Sequence, residues 1–166
     1  SRRVRSEEAG GFLLLDPPRV GAIVEAVARA VKVPVTIKMR CGFDEERVTV
    51  AEVVRAAESA GASWVAIHAR TVKQGYSGKA LWRRIGEAKA TVSIPILGNG
   101  DVRNQADLDA LRKETGCDGV LIARAAMGNP WIFQELRFDD APPLPPPSRE
   151  EDLRVMDRHL GLLEAA

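Results

Sequence analysis

The sequence has little of what marks several functional classes. Among 166 residues there are two cysteines, Cys41 and Cys117. They are too few and too far apart for a disulfide framework or a zinc site, so no metal is expected, and they fit a reduced, cytoplasmic setting. No apolar run reaches the roughly 18 residues that a membrane-spanning helix needs, so no membrane contact is expected. The opening SRRVRSEE is not followed by an apolar stretch of signal-peptide length, and a first residue other than Met points to sequence upstream. Charge of one sign is also lacking. Lys and Arg number 24 against 23 Asp and Glu, a net charge of +1. Contact with a polyanion must therefore come from a local cluster of cations. No glycine-rich turn follows the first candidate strand, which argues against a doubly wound nucleotide-binding sheet.

What is present is a rhythm. Four β-branched runs stand out, at residues 33–38 (VPVTIK), 63–68 (SWVAIH), 94–97 (IPIL) and 118–122 (DGVLI). Their near-continuous apolar character suits strands buried on both faces of a parallel sheet. The stretches between them have helical spacing, with Val50, Val53, Val54 and Ala57 on one face, Leu81 with Ile85, and Leu108 with Leu111. Gly61 and Gly116 stand where a helix ends in a left-handed residue. An earlier helix is predicted over 18–31, with Pro18 in its first turn and Val20, Ile23, Val24 and Val27 along one side. The runs end in polar residues: Lys38 and Arg40, His68 and Arg70, Asn99 and Asp101, Arg124. A (β/α)8 barrel places its chemistry at those carboxyl ends, and a full barrel takes about 200 residues or more. The predicted fold class is therefore α/β, the last four strand-helix units of a partial (β/α)8 TIM barrel, over residues 1–138. A Pro-rich linker follows at 139–148. Ser148 with Glu151 forms a capping box that opens an amphipathic helix at 149–166, carrying Leu153, Met156, Leu160 and Leu163 along one side. That helix is read as the start of an α-helical domain.

Several strand-end residues have two readings each. Lys38 at the end of an apolar strand needs a counter-charge, either a salt bridge in the barrel mouth or an anionic ligand. His68 is either a satisfied core histidine or a ligand contact. Gly98-Asn99-Gly100-Asp101 lets backbone N–H groups approach a phosphate, and it also makes an ordinary turn. Arg124 either binds phosphate with that loop, as the last barrel loops commonly do, or pairs with Asp101. The loop Arg70 to Gly78, with Lys73 and Tyr76, has the cations and ring that suit RNA, as a solvated loop also would.

Taken together, PVTIKMR (34–40), IHART (67–71) with YSG (76–78), IPILGNGD (94–101) and TGCDGVLIARAAMGNPWIF (115–133) resemble the tRNA-dihydrouridine synthases. The resemblance implies an FMN-binding barrel that reduces uridine to 5,6-dihydrouridine in tRNA, with NADPH as reductant. It implies that Lys38 and His68 contact the flavin ring, and that Asn99, Gly100, Asp101, Ala123 and Arg124 hold its phosphate. Arg40, Arg70, Lys73 and Tyr76 are the candidates for tRNA contact. Ala123 departs from the glycine common in the family before that arginine. The basic opening and the GGFLLL segment (10–15) resemble the stretch directly after the family's proton-donor turn, so the donor cysteine is expected just upstream of Ser1. Neither Cys41 nor Cys117 takes that role, and the chain alone is expected to be inactive. Open barrel edges would favour self-association. A flavin-free phosphate-binding barrel and a non-catalytic half-barrel binding module are the alternatives.

Overall fold

The computed structural model describes residues 9–138, 142 and 144–164. The basic opening at 1–5 and part of the linker at 139–148 lie outside them. After a 3-10 turn at Gly10–Leu15, the chain alternates helix and strand: α1 Pro17–Ala30, β1 Thr36–Arg40, α2 Val50–Ser59, β2 Trp64–His68, α3 Arg83–Lys89, β3 Ile96–Asn99, α4 Gln105–Thr115 and β4 Gly119–Leu121. A 3-10 turn at Arg124–Ala126, a short α5 at Ile132–Glu135 and α6 at Arg149–Glu164 come next. The strands form one parallel sheet in the order β1-β2-β3-β4. The order never reverses, so there is no switch point of the doubly wound kind. Four parallel strands in chain order, each returned by a helix, are part of a (β/α)8 barrel.

All four strands begin later than the sequence pattern predicts, two of them by more than one residue. Pro34 and Pro95 lack an N–H, so the ladder starts beyond them, at Thr36 and Ile96. Both strands also run two residues further than predicted, which puts Lys38 in the middle of β1 and makes Arg40 and Asn99 the terminal residues. Asp118, placed in the last strand by its pattern, precedes β4 and fastens its start. Its carboxylate accepts from the Ile96 N–H at 2.8 Å and from Lys89 Nζ at 2.7 Å.

The core lies between the sheet and its helices. Met39, Val65, Ile67 and Ile96 meet Val50, Val53, Val54, Ala57, Ile85, Leu108 and Leu111, all buried. Val24 is the fully buried residue of α1, whereas Ile23 and Val27 of its predicted apolar side are each 44% exposed. Leu81 falls outside α3 and is exposed. Gly61 and Gly116 adopt φ of 95° and 63°, ending their helices as the sequence predicts. The capping box also forms: the Ser148 N–H and hydroxyl both donate to Glu151 Oε2 at 2.8 Å, and the Glu151 N–H donates to Ser148 Oγ at 3.3 Å. Leu153, Met156, Leu160 and Leu163 of α6 are exposed, so no described residue covers that side.

Gly98 sits at a close sheet-helix contact. A Cβ there would lie 2.9 Å from Leu111 Cδ2 and 3.4 Å from both Cys117 Sγ and Ile85 Cδ1. Gly98→Ala is expected to cost about 1–3 kcal/mol by overpacking. Leu111→Ala costs about 2–5 kcal/mol on its own. The double variant, followed by urea denaturation, should lose less than the sum because the colliding methyl is gone.

Candidate functional site

Side chains on alternate positions of a strand share a face. Parallel register therefore sets Lys38, Ala66, Leu97 and Gly119 side by side, and Arg40, His68, Asn99 and Leu121 in the next row toward the carboxyl ends. Gly98, one residue out of phase, faces the helices. The two rows thus line the face of the sheet turned away from the helices. A cleft of about 860 Å³ opens at the carboxyl ends of β2, β3 and β4. His68, Arg70, Tyr76, Asn99, Gly100, Asp101, Ala123 and Arg124, all named from sequence, line it.

Its walls are held by polar bonds across loops. Arg70 is buried; its Nη2 donates to Asp101 Oδ2 at 2.7 Å, to Asp101 Oδ1 at 2.9 Å and to Gly78 O at 2.7 Å. Asp101 Oδ2 also accepts from the Ala80 N–H at 2.8 Å, and Oδ1 from Arg124 Nη2 at 3.0 Å. Burial would raise the Asp101 pKa, but the Ala80 N–H and Arg70 outweigh it and hold the carboxyl below its ordinary value. Asp101 has φ of 58°, and no other non-glycine among the described residues has a positive φ. That left-handed backbone costs roughly 1–2 kcal/mol, which the four bonds to the carboxylate offset.

Gly100 precedes it with φ of 127°, and a Cβ there would lie 2.9 Å from Ala80 Cβ and 3.2 Å from the His68 ring. Both conformation and space demand glycine. The N–H groups of Gly100, Asp101, Ala123 and Arg124 donate to no acceptor among the described residues. Asn99 is fixed by its Nδ2, which donates to Leu121 O at 2.7 Å.

The sequence-derived residues separate into groups. Arg124 does pair with Asp101, yet its side chain remains 61% exposed, so it has donors left for a ligand. Lys38 is exposed on the open sheet face, outside the cleft lining and without an ion pair among the described residues. The expected buried ammonium is therefore not found: the strand is covered on one side, and Lys38 faces the other. Arg70, grouped by sequence with the RNA contacts, is 2% exposed and fastens the loop from behind. Arg40 holds that loop from the opposite side, its Nη1 donating to Thr71 O at 2.8 Å and Gly75 O at 2.7 Å. Lys73 stands at the loop's outer edge, paired with Asp44 at 3.0 Å. Tyr76 is 71% exposed, with the guanidinium carbons of Arg40 and Arg124 each 5.7 Å from its ring centroid. Lys79, Ala80, Trp82, Arg103 and Asp107, which no sequence motif singled out, also line the cleft; Trp82 Nε1 donates to Gly100 O at 2.8 Å. The available signal was an indole N–H, which needs a partner when partly buried.

Lys79, Arg70, Arg103 and Arg124 line the cleft against Asp101 and Asp107, so it carries excess positive charge. His68 adds none at neutral pH. Burial, reinforced by Arg40, Lys38 and Arg70, lowers its pKa from 6.5 to about 4. Between these values the unfolded chain binds a proton that the fold does not, so stability rises with pH there and falls on acidification. The penalty at the low end of that window is on the order of 2–3 kcal/mol. His68→Gln should flatten the stability profile between pH 6.5 and 4 in urea titrations, whereas a parallel slope would show that another group titrates.

Comparison with known proteins supplies a family. A family model described as dihydrouridine synthase matches residues 1–166. A probable tRNA-dihydrouridine synthase of Aquifex aeolicus is 46% identical over 138 residues, covering 81% of this chain and 43% of the relative. One of Mycobacterium leprae is 46% identical over 151 residues, covering 87% and 39%. The tRNA-dihydrouridine synthase B of Pseudomonas putida is 40% identical over 167 residues, covering 99% and 50%. The chain thus spans half or less of the length of these relatives. With the model matched from end to end, the chain belongs to the dihydrouridine synthase family.

Proposed function

We propose that this chain supplies the C-terminal half of the FMN-binding barrel of a tRNA-dihydrouridine synthase, which reduces uridine to 5,6-dihydrouridine in cytoplasmic tRNA. The observation that carries the reading is a set of unpaired backbone donors at the ends of β3 and β4. The N–H groups of Gly100, Asp101, Ala123 and Arg124 have no acceptors among the described residues, and these four residues line one cleft with the largely exposed guanidinium of Arg124. Unpaired backbone donors beside an arginine suit a phosphate monoester. Ala123 has φ of −125° and ψ of −93°, outside the main regions open to L-residues, at the position where the family commonly has glycine. The alanine keeps the backbone N–H that the phosphate reading needs.

When bound, FMN supplies the hydride that saturates the uridine ring, with NADPH as the electron source. The chain's own residues bind, orient and neutralise. Lys38, on the open sheet face, offers a cation to the electron-rich edge of the flavin ring, which favours the reduced, negatively charged form. His68, neutral at physiological pH, offers a donor and an acceptor in the adjoining row. Arg40, Lys73 and Tyr76 present two cations and a stackable ring to RNA at the mouth. Among them, Arg40 also holds the loop, and Arg70 serves as its anchor. The linker at 139–148 leads to α6, which opens the helical tRNA-binding domain. The free edges of β1 and β4 are where the remaining barrel strands pair; without them the same edges favour self-association. A flavin-free phosphate-binding barrel would need the glycine loops after the last two strands but not Lys38 and His68 together.

In the complete enzyme, Arg124→Ala should weaken FMN binding by about 1.5–3 kcal/mol, a charge-assisted contact, and leave riboflavin binding nearly unchanged. Flavin fluorescence titrations with the two ligands make the comparison, and equal losses place Arg124 away from the phosphate. Lys38→Ala should slow NADPH-dependent flavin bleaching and the gain of two hydrogens in tRNA uridine, read by mass spectrometry. An unchanged rate would remove Lys38 from the flavin site.

A further inference from the structure

Phosphate binding accounts for Arg124 and the backbone of the phosphate loop, but not for the buried arginine that stands behind them. Arg70 Nη2 bonds both oxygens of Asp101 and Gly78 O, and its Nε reaches Ser77 O at 3.3 Å. Asp101 in turn accepts from the Ala80 N–H. One ion pair thus fastens residues 77–80 to the residue after Gly100. Tyr76, directly before that segment, packs against Arg124, which also bonds Asp101. The loop facing RNA and the loop facing phosphate therefore share a single carboxylate.

The backbone of Asp101 makes that sharing consequential. Its φ of 58° is disfavoured for a residue with a Cβ. In this conformation the N–H groups of Gly100 and Asp101 have no acceptor among the described residues, while the carboxylate turns to Arg70 and Ala80. An anion bound to those N–H groups would hold the turn in its left-handed form, and the carboxylate with it.

We propose that Arg70 is a positioning residue that, through Asp101, couples phosphate occupancy to the placement of Tyr76 and the 71–80 loop for RNA. The inference rests on the cleft being the flavin phosphate site. It separates two ligands that differ only in the phosphate: FMN orders the loop, and riboflavin does not. Coupling of binding is reciprocal, so FMN tightens tRNA binding by the factor with which tRNA tightens FMN binding.

The test uses the complete enzyme saturated with FMN or with riboflavin. Wild-type protein should bind tRNA more tightly with FMN than with riboflavin, by a factor within the roughly 5–150-fold usual for coupled sites. In Arg70→Lys, which keeps the charge but has one nitrogen for four acceptors, the ratio should fall toward one while FMN alone still binds. A second measurement needs no buried substitution. Lys73 lies outside the cleft lining, and its side chain is 63% exposed. Tryptic cleavage after it should slow with FMN and not with riboflavin. An FMN advantage that survives in Arg70→Lys, or equal cleavage with both ligands, overturns the coupling. Failure of the wild-type enzyme to bind FMN overturns the flavin reading beneath it.

Discussion

The carboxylate of Asp101 joins parts of the site that come from three strand ends. Arg70 follows β2, Asp101 follows β3 and Arg124 follows β4, and the two guanidiniums meet on the one acid. Arg70 is nearly buried, and its Nη1 has no partner among the described residues, so Asp101 supplies its main counter-charge. Removing one partner of such a pair leaves an unpaired buried charge, which is the costly case. Three further loop contacts involve this pair. With Arg70 fixed, the carbonyls of Ser77 and Gly78 have a donor, and with Asp101 fixed, the Ala80 N–H has an acceptor.

Parallel register gives the pair its setting. Because neighbouring strands pair residue for residue, Lys38, Arg40, His68 and Asn99 fall in two adjacent rows on the open face. Concentrating cations there has an electrostatic consequence. Arg40, Lys38 and Arg70 add to burial in keeping His68 neutral, so the row combines fixed positive charge with an uncharged donor and acceptor. The helix side of the sheet shows the opposite chemistry, with Gly98 admitting Leu111 and Ile85 into close contact.

The loop over the cleft is braced from outside as well. The Val72 and Lys73 N–H groups donate to Gly42 O and Phe43 O at 3.0 and 2.9 Å, and Lys73 and Arg47 both pair with Asp44. These cations hold the Asp44 carboxyl well below the usual carboxylate range. Phe12 packs on Phe43 with ring centroids 4.9 Å apart, so the segment ahead of α1 supports the same brace. The mouth is thus bounded by loops bonded chiefly to one another, with Tyr76 left exposed at its rim.

Features set by near neighbours in sequence were legible without the structure. The helix-ending glycines Gly61 and Gly116, the Ser148–Glu151 capping box and the buried stripe Val50, Val53, Val54 and Ala57 each depend on residues within a turn or two. Eight of the cleft residues were legible too, because a parallel α/β unit delivers the residues at and after each strand end to one end of the sheet. Contacts between distant residues were not. Arg70 and Asp101 are 31 positions apart, and nothing local distinguishes a buried anchoring arginine from an exposed RNA contact. The same holds for Arg40, turned to loop carbonyls, and for Lys38, exposed in mid-strand because β1 continues to Arg40 and the helices cover only its other face. Local pattern fixes which backbone conformation a segment takes, but which charge finds which partner is decided when the strands pair, because those partners are neighbours only in the folded sheet.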